Sequence, residues 1–332
     1  MDLDFIVQAA KAAPLHLRQH AAREALQRCL LAALARQGLL IDVAFIGGTA
    51  LRILHQLPRY SEDLDFIWTN TQSEESLGKW SGTLKRALSR IGVAGITQPA
   101  PATQVDALVE KRSYTIHLVA TSPAFDAFAR NGLQISFEID LNPPAHTERE
   151  TRTMQIAGDQ VTTPTLTLPS LMTGKLHILL TRKDREKGRD WFDYAWYRRN
   201  NILPNVPQLQ KAIEQTARGP EARYWMSYLR QRARTVDWET IRADIRPFLE
   251  NQDDVRQLNE ATITSLTPYP HFESITAELH ELKGQHPLLL TENPVIEDIQ
   301  QAALEGDETA WETRFAIEAI TETKDKNQAP PL

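Results

Sequence analysis

The short run Ile41-Asp42-Val43-Ala44-Phe45-Ile46 ends in paired glycines, Gly47 and Gly48, and Thr49 to Leu57 then follows at helical spacing until Pro58 stops it. A mostly apolar run of this length, closed by glycine, reads as a buried strand. A strand that turns at once into a helix must bury one side of each against a common core, which points to an α/β layer architecture. Asp63-Leu64-Asp65-Phe66-Ile67-Trp68 reads as a second strand, beginning only fifteen residues after Gly48. Alternation along it sends Asp63 and Asp65 to one face and Leu64 and Phe66 to the other.

The rest of the front half supports the same class. Leu26, Leu30, Ala33 and Leu34 recur at helical spacing within 16–37, before Gly38. Leu77, Trp80, Leu84, Leu88 and Ile91 predict an amphipathic helix over 76–91, and 114–120 and 133–141 alternate as strands. The segment 159–169 carries two prolines and reads as an extended connector at a domain boundary. Helical patterns then dominate, at 171–182, 190–199, 207–216, 221–233, 238–250, 272–283, 294–304 and 307–321. The expected organisation is an α/β core over 1–165, a basic helical domain over 166–265 and an acidic helical extension over 266–332. The last residues, KDKNQAPPL, are expected to be disordered.

Composition sets limits on function. The sequence has 332 residues, 42% hydrophobic and 24% charged, as expected of a soluble protein. No apolar run reaches the length of a membrane span, and the acidic start lacks a signal-peptide pattern. The single cysteine, Cys29, lies in a leucine-rich stretch and reads as a small buried hydrophobe. One cysteine makes no intrachain disulfide, which fits a cytoplasmic protein. The net charge of −6 hides an asymmetry. Residues 236–332 hold 20 acidic and 7 basic side chains, whereas 175–234 hold 14 Lys/Arg against 6 Asp/Glu. A basic surface of this kind attracts polyphosphate or nucleic acid, or is simply a solvated helical face.

Two carboxylates side by side repel each other unless a cation lies between them. A hard divalent ion such as Mg²⁺ (or Mn²⁺) takes oxygen ligands and leaves positions open for phosphates, so Asp63 and Asp65 are candidate metal ligands. Gly47 and Gly48 allow backbone N–H groups to approach a phosphate, and the following helix adds its N-terminal donors, with Thr49 as a candidate cap. Together these features predict a site for a metal-bound nucleoside triphosphate.

The string GGTALR…RYSEDLDF resembles the AbiEii/AbiGii toxin family, which includes the MenT tRNA-modifying toxins, within the DNA polymerase β-like nucleotidyltransferase superfamily. The matching residues are Gly47, Gly48, Thr49, Ser61, Asp63 and Asp65, with Arg52 in the same string. A second block continues the likeness, with a helical lysine, a basic loop and Arg-Asp-x-x-Asp: Lys175, Arg182, Lys183, Lys187, Arg189, Asp190 and Asp193. Thr173-Gly174 stands where the family often has an acidic residue before the lysine. The resemblance spans roughly residues 40–200. It implies a polymerase β-like core with a small mixed sheet, followed by a helical domain. It also implies transfer of a nucleotidyl group from a nucleoside triphosphate, with Asp63, Asp65, Lys175 and Asp193 catalytic. Gly47, Gly48, Thr49, Arg52, Ser61, Arg182, Arg189 and Asp190 would serve the nucleotide. The implied acceptor is the 3′ end of tRNA, and the implied partner a winged-helix antitoxin in a toxin–antitoxin or phage-defence pair.

Lys175 is a plausible phosphate contact, and Arg182 lies two helical turns along the same face. Gly188 reads as a helix break, with Asp190 capping the next helix. A third carboxylate is expected from Glu138 or Asp140, which alternate onto one face of their strand, and the sequence does not choose between them. Trp191, Tyr194, Trp196 and Tyr197, interleaved with arginines, read as the core and rim of a helix or as a base-stacking surface. No histidine pair or Cys/His spacing suggests zinc, and no nucleophile elbow or Walker loop occurs. Two further functions fit the front motif: transfer to a small-molecule or protein hydroxyl, and nucleotide binding without turnover.

Overall fold

The computed structural model describes residues 3–69, 113–120, 123–128, 132–156, 158–182, 185–269 and 294–307, with single positions at 82, 86, 310, 313 and 314. Along the chain run α1 (Leu3–Ala12), α2 (Arg18–Arg36), β1 (Val43–Ile46), α3 (Gly47–His55), β2 (Leu64–Trp68), β3 (Ser113–Ala120), β4 (Leu133–Asp140), β5 (Arg149–Ile156) and β6 (Asp159–Leu166). There follow α4 (Leu168–Thr181), α5 (Gly188–Arg199), α6 (Val206–Thr216), α7 (Trp225–Thr235), α8 (Trp238–Ile245), α9 (Glu260–Leu266) and α10 (Pro294–Leu304). Two compact units result: Met1–Gly219 with Trp238–Leu258, and Pro220–Asp237 with Asn259–Leu332.

The first unit is built on a six-stranded mixed sheet in the order β3-β4-β2-β1-β6-β5. The pairs β1/β2, β3/β4 and β5/β6 are antiparallel, and β2/β4 and β1/β6 are parallel. Phe45, Phe66 and Phe137 project from three neighbouring strands, with ring centroids 5.4 Å and 6.4 Å apart in succession. They form one core with Leu26, Cys29 and Leu30 of α2. Each such side chain contributes roughly 1.5–3 kcal/mol when fully buried. The α2 helix is buried along most of its surface, and α1 packs against it. Burial pushes the Cys29 thiol up to about 11, so it is inert packing, as expected.

The segment expected to be a connector, 159–169, is β6 followed by the start of α4. Its two prolines sit where they do little harm. Pro169 is in the first turn of α4, and Pro164 is next to Thr165, whose pairing with Phe45 is the register contact to β1. The expected boundaries at 165/166 and 265/266 therefore differ from where the chain divides, since α4, α5 and α6 belong with the sheet. Strand β5 gave no sequence signal because its first half alternates between exposed and half-buried positions, as an edge strand can. The helices expected over 76–91 and 272–283 lie outside the described residues, except that 82 and 86 are helical.

The second unit has its own small core, in which Tyr224, Val295, Ile299 and Ala302 pack together. Arg230 is buried there against Asp298 at 3.2 Å and lies over the Tyr269 ring. No helix among the described residues is long and apolar enough to cross a membrane.

His20 lies against the rings of Tyr60 (5.7 Å) and Phe248 (5.1 Å). Burial first, then Arg23 and His16, push its pKa from 6.5 to about 4. The folded pKa lies below the unfolded one, so the neutral ring stabilises the fold above pH 6.5, and this is lost as pH falls toward about 4. The urea midpoint is expected to drop across that window, and His20→Phe to flatten part of the drop. An unaltered pH profile in the variant would remove His20 from the account.

Candidate active site

β1 delivers its last residue, Ile46, opposite Asp65 of β2. The chain then turns through Gly47 at φ +77°. A Cβ at Gly47 would overlap the Asp65 carboxylate, so only glycine fits both the conformation and the contact. A Cβ at Gly48 would come within 2.6 Å of Arg59 Nη2 and 2.9 Å of Ser61 Oγ. The two glycines therefore bring backbone close to a carboxylate on one side and a guanidinium on the other.

The parallel register sets Asp65 beside Glu138 of β4. Asp140 instead pairs with Ile67 and accepts a 3.0 Å hydrogen bond from the Asn142 N–H. Asp63, just before β2, accepts a hydrogen bond from Ser136 of β4. Burial, Asp63 and Glu138 together push Asp65 up to about 7. Burial also raises Asp63, against the pull of Arg189. Among the described residues no three of His, Cys, Asp or Glu close into a metal cage. Asp63 and Glu138 instead set two further carboxylates near Asp65 that repel its charge.

Across a cleft of about 320 Å³, lined by Gly47, Asp65, Glu138, Asp140 and Lys175 among others, α4 presents the lysine. Lys175 Nζ is 3.1 Å from both Asp190 Oδ1 and Asp193 Oδ2 of α5. Burial opposes its charge, but the two aspartates outweigh it and hold Lys175 above its usual pKa. Arg182 Nη1 takes the other Asp190 oxygen at 2.8 Å. Lys175 and Arg182 likewise overcome burial to hold Asp190 below the usual carboxylate range. The partners that Thr173-Gly174 cannot provide thus come from α5.

Sequence reasoning missed Arg59. It is 1% exposed and donates from Nε and Nη2 to both Asp193 oxygens at 2.6 and 2.7 Å, and from Nη1 to the Tyr60 carbonyl. Asp193, itself fully buried, therefore ties the residue beside the Gly48 turn to Lys175. That makes it a positioning residue for Arg59 and Lys175. The Arg before Tyr60-Ser61 in the quoted string was the available signal, but a guanidinium's partner 134 residues away leaves no mark on local spacing.

Other expected positions also change role. Thr49 does not cap α3, which starts at Gly47. Its hydroxyl donates to the Asp63 carbonyl and so ties the turn to β2. Arg52 is held away from the cleft by Glu24 (2.8 Å) and Glu250 (2.6 Å), and lies over the Tyr60 ring. Ser61 is buried, and its carbonyl accepts from Gln27. Asp190 is not a cap either. Gly188 is already helical and packs against Ile241 and Ile245 of α8, whose Asp244 accepts the Gly188 N–H at 2.8 Å. Trp191, Tyr194 and Tyr197 are buried core, not a stacking surface. Arg189 lies 3.8 Å from Glu62, and Lys183 lies outside the described residues.

Several known proteins share features of this chain. JHP933 from Helicobacter pylori is 17% identical over 80% of this chain and 96% of its own, with a TM-score of 0.41. The CD-NTase CdnG of Bradyrhizobium diazoefficiens, solved in complex with GTP, is 12% identical over 90% and 96%, with a TM-score of 0.24. No curated protein matches the chain. The sequence model of the nucleotidyl transferase AbiEii toxin family, type IV TA system, matches residues 28–276. That match takes in the Gly47 turn, the Asp63/Asp65 pair and the Lys175 block over far more than half of the sequence, and the chain belongs to the AbiEii nucleotidyltransferase toxin family.

Proposed function

We propose that the chain transfers a nucleotidyl group from a nucleoside triphosphate to an RNA hydroxyl, the 3′ end of a tRNA being the favoured acceptor. Asp63 and Asp65 would hold Mg²⁺ or Mn²⁺, which when bound would supply positive charge to the triphosphate. The N–H groups at the Gly47 turn would receive phosphate oxygens. Glu138 would accept the proton of the attacking hydroxyl. The register that sets it beside Asp65 favours it over Asp140. The hydroxyl oxygen bonds to the α-phosphorus, and the bond to pyrophosphate breaks. Lys175, kept charged by Asp190 and Asp193, would stabilise the departing negative charge. The observation that carries the reading is the Asp65 carboxylate set against the Gly47 turn and beside Glu138, with Lys175 in the same cleft. The basic stretch 175–234 supports RNA as acceptor. Membership in a toxin family supports a separate antitoxin, for which a winged-helix protein is the proposed partner.

The test is label transfer from each α-³²P nucleoside triphosphate to total RNA with Mg²⁺. Lys175→Met is expected to lower transfer by on the order of 10²–10³-fold, the usual loss when one transition-state charge partner is removed. A protein that binds triphosphate yet labels neither RNA, protein nor small molecule would end the transferase reading. Label on protein or small molecule alone would move the acceptor.

A further inference from the structure

Beyond the carboxylates and Lys175, the cleft continues between α4 and α6 of the first unit. Leu171, Gly174 and Ile178 share the lysine's face of α4, and Gln208 and Ala212 share one face of α6. Two features there have no explanation in folding. Gly174 lies inside a 14-residue helix without a positive φ, and a Cβ built on it meets nothing within 4 Å. Glycine at such a position weakens a helix relative to alanine, and neither backbone nor packing asks for it. What glycine does provide is bare backbone on the cleft wall, one residue from Lys175.

The second feature is Gln208. It is 3% exposed, yet its Oε1 has no hydrogen-bond partner, while its Nε2 donates to the Ser170 carbonyl at 3.4 Å. Its own N–H is capped by Asn205 Oδ1 at 3.1 Å, so the residue is fixed in the first turn of α6. A buried acceptor left unpaired is costly, and one that lines a cleft is waiting for a donor.

We propose that this part of the cleft is a nucleobase pocket: the ring lies against the bare backbone at Gly174, and Gln208 Oε1 accepts a hydrogen bond from an amino group on the base edge. Nε2 gives one N–H to Ser170, so the buried group of the carboxamide left without a partner is the Oε1 acceptor. Cytosine, adenine and guanine carry an exocyclic amino donor. Uracil offers only its ring N–H, flanked by two carbonyl oxygens, which makes it a weaker donor edge for Oε1 than an exocyclic amino group. The pocket therefore selects amino-bearing bases over uracil. The inference rests on the transferase reading only for the identity of the molecule that brings the base: the incoming triphosphate or the terminal nucleotide of the RNA acceptor.

The experiment has two arms, neither requiring transfer. One measures binding of the non-transferable α,β-methylene analogues of CTP, ATP, GTP and UTP with Mg²⁺. The other measures binding of short RNAs ending in C, A, G or U, without triphosphate. The wild type is expected to favour amino-bearing bases about ten-fold in one arm, which names the source. Gln208→Leu should bring them down to the level of uridine and leave uridine unchanged. Gly174→Leu should weaken all ligands in that arm without lowering the melting temperature, since the position is open space. The proposal is overturned if neither arm shows a base preference, if the preference survives Gln208→Leu, or if Gly174→Leu binds as wild type. Base-selective binding through Gln208 without any transfer would keep the pocket and end the transferase reading. Transfer indifferent to Gln208 would do the reverse.

Discussion

Asp193→Ala is expected to destabilise the first unit by about 3–5 kcal/mol, read as a lower urea midpoint. The carboxylate is fully buried and faces two cations, Arg59 through both oxygens and Lys175 through one. Removing it leaves Arg59, 1% exposed, with only the Tyr60 carbonyl, and leaves Lys175 with Asp190 alone. Stranded buried charge, rather than the lost attraction, accounts for most of that cost. The double variant Arg59→Met/Asp193→Leu removes both charges of the tightest pair and should recover most of the stability. It should not recover transfer, because Lys175 would still lack one of its two anchors. A single variant within about 1 kcal/mol of wild type would show that the pair does not organise the unit.

This ion pair also marks the limit of what the sequence reveals. The Gly47 turn and the Asp63/Asp65 strand were legible because their chemistry is local. A strand, a glycine turn and two carboxylates at period 2 occupy 26 consecutive residues, Val43 to Trp68, and alternation alone decides which side chains share a face. Lys175 was legible only through the family pattern, since a helical lysine in isolation looks like any solvated one. Asp190 was misread as a cap because only short range was visible, and the ion partners of Arg52 lie too far along the chain to be read from its own string. The structure gives the helix start to Asp244, 56 residues on, and Arg52 to Glu250, 198 residues on. The proposed preference for Glu138 over Asp140 rests on the β2/β4 register, which strand alternation cannot supply. β6 was hidden by Pro164, and β5 by its exposed edge.

Asp65→Asn is expected to do two opposite things: reduce transfer by on the order of 10³-fold and raise the melting temperature at pH 8. The carboxylate feels Asp63, just before its own strand, and Glu138 on the next, with the Gly47 turn against it. Burial and these two neighbours move its pKa from the ordinary 3.8 to about 7. A carboxyl whose folded pKa exceeds the unfolded one stabilises the fold fully below the unfolded value, and that contribution is lost as pH rises through about 7. At pH 8 the wild type therefore carries a charge that its surroundings oppose, and asparagine removes it at nearly constant volume. The gain should shrink at pH 5, where the wild-type carboxyl is largely protonated. Mg²⁺ offers the wild type another route to the same relief, so the ion should raise its melting temperature and leave that of Asp65→Asn nearly unchanged. A variant that melts below the wild type at pH 8, or that still transfers nucleotide at the wild-type rate, would make Asp65 a structural residue and move the metal site elsewhere.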